Sequence, residues 1–465
     1  MTLFDNPPDV LVIGGGNAAL CAAICAAEAG ASVLLIEGAA DHTRGGNSRH
    51  TRDIRYMHLG ATQYVTGPYL EDEFWDDLIR VTHGETTEHL ARIVLRGSED
   101  LGDWMPAHGV MFQPPLKATL GLARTNAFFL GGGKAMMNAY YATAQKLDVR
   151  ILYDTEARFL NVRNGRFESA NVTYRGEEAE IRAASVVVAS GGFEANIEWL
   201  KRYWGDAADN FIIRGARAND GKMLASLLEH GAKPHGNERE FHAVAVDARA
   251  PKFDGGIVTR LDSVPFGLVV NRNAERFYDE GEDFWPKRYA IWGGLIAREP
   301  DQIAYSIVDS KAMGRFMPSV FPAIEAASLD DMARNLELDP GKLRQTVNEF
   351  NAAILPGTFD AGVLDDCRTE GLDPPKSHWA LRVDEPPFFA YPLRPGITFT
   401  YLGVTVDEQA RVVMQDDHPA ENMFAAGEVM AGNILGRGYL AGFGLTIGSV
   451  FGRIAGREAA RYARD

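Results

Sequence analysis

Arg49, Arg52 and Arg55 recur at every third position directly after a Gly-Gly-Asn-Ser turn at residues 45–48. A guanidinium is planar, permanently charged and forked, so it grips a carboxylate through two parallel hydrogen bonds. On a helix this spacing stacks the side chains on one face, which predicts a carboxylate-binding face beside the turn; the competing reading is a solvated charged face. A second run, DVLVIGGGNAALCAAICAAEAGASVLLIE at 9–37, suits a dinucleotide. Gly14 and Gly16 let the backbone turn close to a pyrophosphate, and Asn17 and Ala18 open a helix whose first amides point at phosphate. Glu37 stands where an acid meets a ribose hydroxyl pair. An acid there argues against a 2′-phosphate.

Several elements must hold these groups in place. Residues 9–13 predict a buried parallel strand, the alanine-rich run to Ala29 a helix closed by Gly30, and Val33 to Ile36 the next strand. Residues 129–162 predict a glycine turn, a helix and two strands joined near Asp154. Residues 183–196 predict a buried strand running into Ser190, Gly191 and Gly192, and 421–433 a short strand leading to Gly427 and Glu428. A closing helix is predicted over 449–463. A nicotinamide dehydrogenase has no need of a late glycine-flanked strand, whereas the flavin end of FAD lies across the sheet and meets the closing helix. FAD is favoured over NAD.

At 465 residues the chain exceeds one ordinary core. Alternating strands and helices at both ends flank a less regular, aromatic- and proline-rich middle. The expected fold is α/β: a Rossmann-like FAD-binding domain in two parts, 1–238 and 386–465, interrupted by an α+β capping domain at 239–385. A formal charge of −16 disfavours nucleic acid as a partner. Three cysteines give no disulfide framework and suit a reducing cytoplasm, Cys21 and Cys25 reading as buried thiols on the first helix. No metal-ligand spacing is present, and no apolar run is long enough to span a bilayer.

The chain resembles the fumarate reductase and succinate dehydrogenase flavoprotein superfamily. The resemblance rests on the 9–37 fingerprint, RGGNS at 44–48, GGKAMMNAY at 132–140, VVVASGGFEAN at 186–196, RANDGKML at 217–224, AAGEV at 425–429 and FGRIAG at 451–456. Within it the chain is most similar to members that oxidise tricarballylate to cis-aconitate, through GGNSRHTRDIRYMH at 45–58, RFYDEGEDFWPKRYAIWG at 276–293 and GNILGRGYLAGFGLTIGSVFGRIAG at 432–456. The resemblance implies noncovalent FAD beneath a cap. It places cofactor contacts at Gly45, Gly46, Asn47 and Ser48, at Ala157, Ser190, Gly191 and Asp220, at Gly427 and Glu428, and at Gly444, Leu445 and Thr446. It also implies a membrane-bound iron–sulfur protein as electron acceptor, which would bring the chain to the inner membrane only through that partner.

Departures from the superfamily pattern matter. Thr398 and Phe399 stand where fumarate reductases carry paired histidines, just before Thr400. Tyr439 stands where they place a carboxylate-binding arginine, with Arg437 two residues away. GYLAGFG instead resembles the 3-ketosteroid dehydrogenases, in which a tyrosine and a glycine amide hold a carbonyl, so Tyr439 and Gly442 become candidates to orient a substrate oxygen. The resemblance assigns His242 to the substrate and Arg288 to proton transfer, with Lys287 and Tyr289 as rivals. His42 and His50 lack the spacing for covalent flavin attachment and read as solvated loop histidines.

The implied chemistry is oxidation of a CH–CH bond, with arginines neutralising the carboxylates of a small tricarboxylate. Two alternatives remain: an enone-like or fumarate/succinate-type substrate on the same flavin, or a flavin redox sensor without turnover.

Overall fold

The computed structural model describes residues 6–115 and 122–465. Its main sheet has six strands in the order Arg411–Val413, Pro419–Ala425, Ser185–Val188, Val10–Ile13, Val33–Ile36 and Arg150–Leu152. All neighbours pair in parallel except the edge strand Arg411–Val413, which runs antiparallel to Pro419–Ala425. The inner strands VLVI, VLLI and SVVV are buried at every position, as expected for a sheet covered on both faces.

The helix Asn17–Glu28 packs along the final helix, Phe443–Arg464, because small residues line both. A Cβ on Gly452 would stand 2.5 Å from the Ala18 carbonyl oxygen, and one on Gly456 would stand 2.1 Å from that of Ala22. This approach puts the start of the final helix over the end of the first strand. The final helix begins at Phe443, six residues earlier than its apolar pattern predicted, with Gly442 in left-handed conformation (φ 78°) at its N-cap.

The second sheet contains Ile212–Ile213, Phe388–Thr400, Ala304–Asp309 and Leu268–Asn271, with Phe241–Asp247 and Ile324–Ala326 also paired to the long strand Phe388–Thr400. That strand lies just beyond 239–385 and Ile212–Ile213 lies before it, so the sheet draws strands from both sides of the expected cap boundaries. The helices Leu329–Asn335 and Pro340–Ala353 pack with it around a separate apolar core that includes Leu343, Val347 and Phe350. The main cleft opens between this sheet and the first.

Arg49, Arg52 and Arg55 do not share a helical face. A short 3-10 turn covers Gly46–His50 and the chain then straightens into the strand Asp53–Arg55, paired with Asn126–Phe128. In an extended strand side chains alternate between faces, so three-residue spacing sends the arginines in different directions. No helix among the described residues is long and apolar enough to cross a membrane, and no cluster of His, Cys, Asp or Glu among them has the makings of a metal site.

Candidate active site

One continuous cleft runs from the first glycine turn to the second sheet, with about 1810 Å³ of empty space, part of it open to solvent. Its floor begins where Val10–Ile13 turns into Asn17–Glu28. Gly14 has φ 117°, and a Cβ there would meet the Ala189 carbonyl oxygen at 2.3 Å, so this turn tolerates only glycine. The Asn17 amide donates to Ser48 Oγ at 3.0 Å, and the Asn17 side chain donates to the Leu445 carbonyl at 3.0 Å. One residue thereby ties the glycine turn to the Gly-Gly-Asn-Ser loop and to the final helix.

Glu37 ends its strand at the cleft wall. Burial pushes its carboxyl above the usual range, opposed by the amides of Ala39, which donates to Oε1 at 2.8 Å, and Gly45. Asn47 is a hub: its Nδ2 donates to Glu194 Oε1 at 2.6 Å and to the Thr398 carbonyl at 2.7 Å, while its Oδ1 accepts from the Ala216 amide at 2.6 Å. Glu194 and Glu428 are buried beside each other, and burial, with mutual repulsion at Glu428, raises both carboxyls. Two buried carboxyls in contact cannot both ionise, so the pair holds a proton.

These groups fit FAD. Gly16 lines the cleft with room for a side-chain methyl at ordinary contact distance from Ser48, and Ala157, Ser190, Gly191 and Asp220 line the same cleft. Gly427, Glu428, Gly444 and Leu445 line it farther along, with Gly46 and Ala18. Gly45 and Thr446 stand behind the wall instead: Gly45 packs on Met137, and the Thr446 hydroxyl donates to the Arg55 carbonyl.

Beyond the Gly-Gly-Asn-Ser loop the cleft ends in a basic chamber lined by Arg52, Arg214, Arg260, His242, Tyr289 and Tyr439. The His242 and Tyr439 rings stack at 3.8 Å, and Tyr289 meets His242 edge-on at 5.7 Å. Arg260 pairs with Asp262 at 2.8 Å, and Asp262 also accepts from the Trp285 indole at 2.6 Å. Arg214 Nε donates to Thr398 Oγ1 at 2.7 Å. Arg214 Nη1, Arg260 Nε and His242 Nε2 are buried without a hydrogen-bond partner in the protein.

Burial drives the His242 imidazole well below its usual pKa, helped by Arg214 and Arg260, so it is neutral. Burial lowers Arg214 to about 10, which leaves it cationic at neutral pH. Arg260 is held above its usual value against burial by Asp262 and Tyr289. Tyr439 Oη accepts from the Gly444 amide at 2.9 Å, leaving its own proton free to donate toward the chamber, and Gly442 lies beside it.

The chamber takes His242, Tyr439, Gly442 and Arg52 from the sequence-predicted set, and Tyr289 from the rivals of Arg288. It excludes six others. Arg49 pairs with Asp254 and with the Thr43 carbonyl. Arg55 is buried behind the wall, donating to the Ala441 carbonyl at 3.1 Å and Tyr69 Oη at 2.8 Å. Arg288 turns away to Glu282, and Arg437 faces solvent 3.6 Å from Glu85. Thr400 packs beneath the cleft, where its amide donates to Glu428 Oε1 at 2.8 Å. Lys287 pairs with Asp77 at 2.6 Å. His42 is exposed, whereas His50 is partly buried, lines the cleft and lies 3.1 Å from Asp254, because the 3-10 turn folds it inward.

Sequence reasoning missed Arg214 and Arg260. A faint signal existed for Arg260: in Arg-Leu-Asp an extended chain puts Arg260 and Asp262 on one side. Nothing local marked Arg214.

A glycine-cradled dinucleotide cleft over a parallel sheet, ending in a chamber of cations, defines a flavin-dependent oxidoreductase. The chain belongs to the FAD binding domain family, which matches residues 9–445, and its cofactor is FAD. It is 25% identical over 470 residues to NADH:fumarate oxidoreductase of Klebsiella pneumoniae (strain 342), covering 98% of this chain and 48% of that protein. The chain thus spans about half the length of the first curated relatives it matches. Its fold is similar to the open conformation of a flavocytochrome c3 fumarate reductase (TM-score 0.76, 23% identity, 99% of this chain and 79% of that one). It is also similar to 3-ketosteroid-delta4-(5alpha)-dehydrogenase from Rhodococcus jostii RHA1 (TM-score 0.73, 22% identity, 99% and 98%).

Proposed function

We propose that this protein oxidises the CH–CH bond of a small polycarboxylate, with tricarballylate converted to cis-aconitate as the favoured reaction. The observation that carries this reading is the convergence of Arg52, Arg214 and Arg260 on His242, with buried donor nitrogens that find no partner within the protein. Buried, unpaired donors are costly and imply an acceptor supplied by a ligand. A tricarboxylate offers one carboxylate to each arginine.

Noncovalent FAD supplies the two-electron acceptor when bound, held by the glycine turn, Glu37, Asn47 and the 427–428 and 444–445 segments. The arginines neutralise the carboxylate next to the reacting carbon, which eases loss of its α-proton. His242, pinned between two tyrosine rings, donates a hydrogen bond without adding charge. Tyr439 donates to a second substrate oxygen. The electrons then leave to a separate protein, for which a membrane-bound iron–sulfur carrier is the proposed class.

The direct experiment is anaerobic addition of tricarballylate, succinate and a saturated 3-ketosteroid to the oxidised holoprotein, followed in the flavin absorption band. Bleaching by tricarballylate alone is expected. Bleaching by the steroid alone would favour the second reading, which rests on the Tyr439 hydroxyl beside the Gly444 amide. Absence of bleaching by any donor would favour a redox sensor.

A further inference from the structure

The chamber that must receive an anion also presents a carboxylate to it. Asp53, the first residue of the strand Asp53–Arg55, is 5% exposed and lines the cleft among Arg52, Arg260, Tyr289 and Tyr439. Its Oδ1 accepts from Asn126 Nδ2 at 2.8 Å, and its Oδ2 lies 3.4 Å from Arg52 Nε. Gly442 packs against it so closely that a Cβ there would stand 2.8 Å from Oδ1. The side chain is fixed from several directions.

The other acids of the region have different placements. Glu37 lies at the glycine turn, Glu156 backs onto Gly38, and Asp220 pairs with Lys222 at 2.6 Å. Asp262 stands behind Arg260 with the Trp285 indole on its other oxygen. Asp53 alone among these faces the basic end of the cleft. A negative charge beside a polycarboxylate weakens binding, so anion recognition does not account for it. Removing a proton from carbon does.

We propose that Asp53 is the proton acceptor in oxidation of the CH–CH bond, an inference that rests on the reading above. Conversion of CH–CH to C=C breaks two C–H bonds and forms one π bond. Bound FAD would supply the acceptor for the hydride and its electron pair, and Asp53 Oδ2 takes the remaining proton, so the two electrons lost by the substrate are accounted for. The Asn126 amide holds the acceptor oxygen's partner in place, and Arg52 is positioned to bridge Asp53 and a substrate carboxylate.

The test compares wild type, Asp53→Asn and Asp53→Glu as FAD-loaded proteins. Each donor that bleaches the wild type is applied anaerobically, and anion affinity is read separately from the shift of the oxidised flavin band. Asp53→Asn should slow bleaching by roughly 10²–10⁴-fold, the range for loss of a positioned acid or base, while anion affinity is unchanged or tighter. Asp53→Glu should recover part of the rate. Should Asp53→Asn fail to hold FAD, Asp53→Ser serves as the neutral variant. Bleaching within about threefold of wild type, or a rate loss matched by an equal loss of affinity, overturns the assignment. A wild type bleached by succinate but not tricarballylate strikes only the substrate reading, whereas a wild type bleached by nothing overturns both.

Discussion

The imidazole of His242 and the phenol ring of Tyr439 stack 3.8 Å apart with planes inclined by 11°. They come from the strand Phe241–Asp247 and from the loop before the final helix. The contact closes the chamber between the second sheet and the loop that leads into the final helix, and His242 is buried. Its consequences are measurable.

Because His242 is held neutral in the folded protein, the unfolded chain binds more protons once the pH falls below the imidazole's ordinary value of 6.5. Stability therefore rises with pH through that range and is lost on acidification, with the full contribution present above pH 6.5. Melting temperature between pH 5 and 7 checks this: His242→Gln should flatten the slope. An unchanged slope would mean the ring is not shielded.

Arg214 and Arg260 should dominate affinity for anions. Loss of either charge-assisted contact costs about 1.5–3 kcal/mol, or ~10–150-fold in Kd. Arg214→Gln and Arg260→Gln are expected to show this weakening for tricarballylate, read from the flavin band. Arg437→Gln, altering an exposed side chain paired at 3.6 Å, should stay within about twofold.

Glu194→Gln should keep FAD. The pair with Glu428 already holds one proton, and the amide oxygen can still accept from Asn47 and Asn219 while its NH2 faces Glu428 without adding charge. Glu194→Ala removes the acceptor of the buried Asn219 amide and one of the two acceptors of Asn47, and should lower the melting temperature of the holoprotein. Equal behaviour of the two variants would exclude the shared proton.

Gly14→Ala should yield a colourless protein. The added methyl meets the Ala189 carbonyl at 2.3 Å in a backbone at φ 117°, so the turn must shift. FAD content per chain after purification is the readout.

The dinucleotide cleft was legible in the sequence because it is built from local order. Glycine, helix and acid follow one another within a single strand–helix–strand unit, and the hydrophobic period alone fixes where each points. The chamber was not legible to the same degree. Spacing by three suggested that Arg49, Arg52 and Arg55 act together, but the chain there is a short turn followed by a strand, and only Arg52 reaches the cleft.

The amino-acid order by itself determined the parallel sheet, the glycine cradle and the cofactor. Tertiary structure decided which cations meet: Arg52, Arg214 and Arg260 lie on separate segments, and no local period relates them. Their meeting depends on the long strand Phe388–Thr400 pairing with Ile212–Ile213 and Phe241–Asp247, and on how the second sheet packs over the first. Burial among one another then sets their charge, which is a property of the assembled fold and not of any stretch of chain.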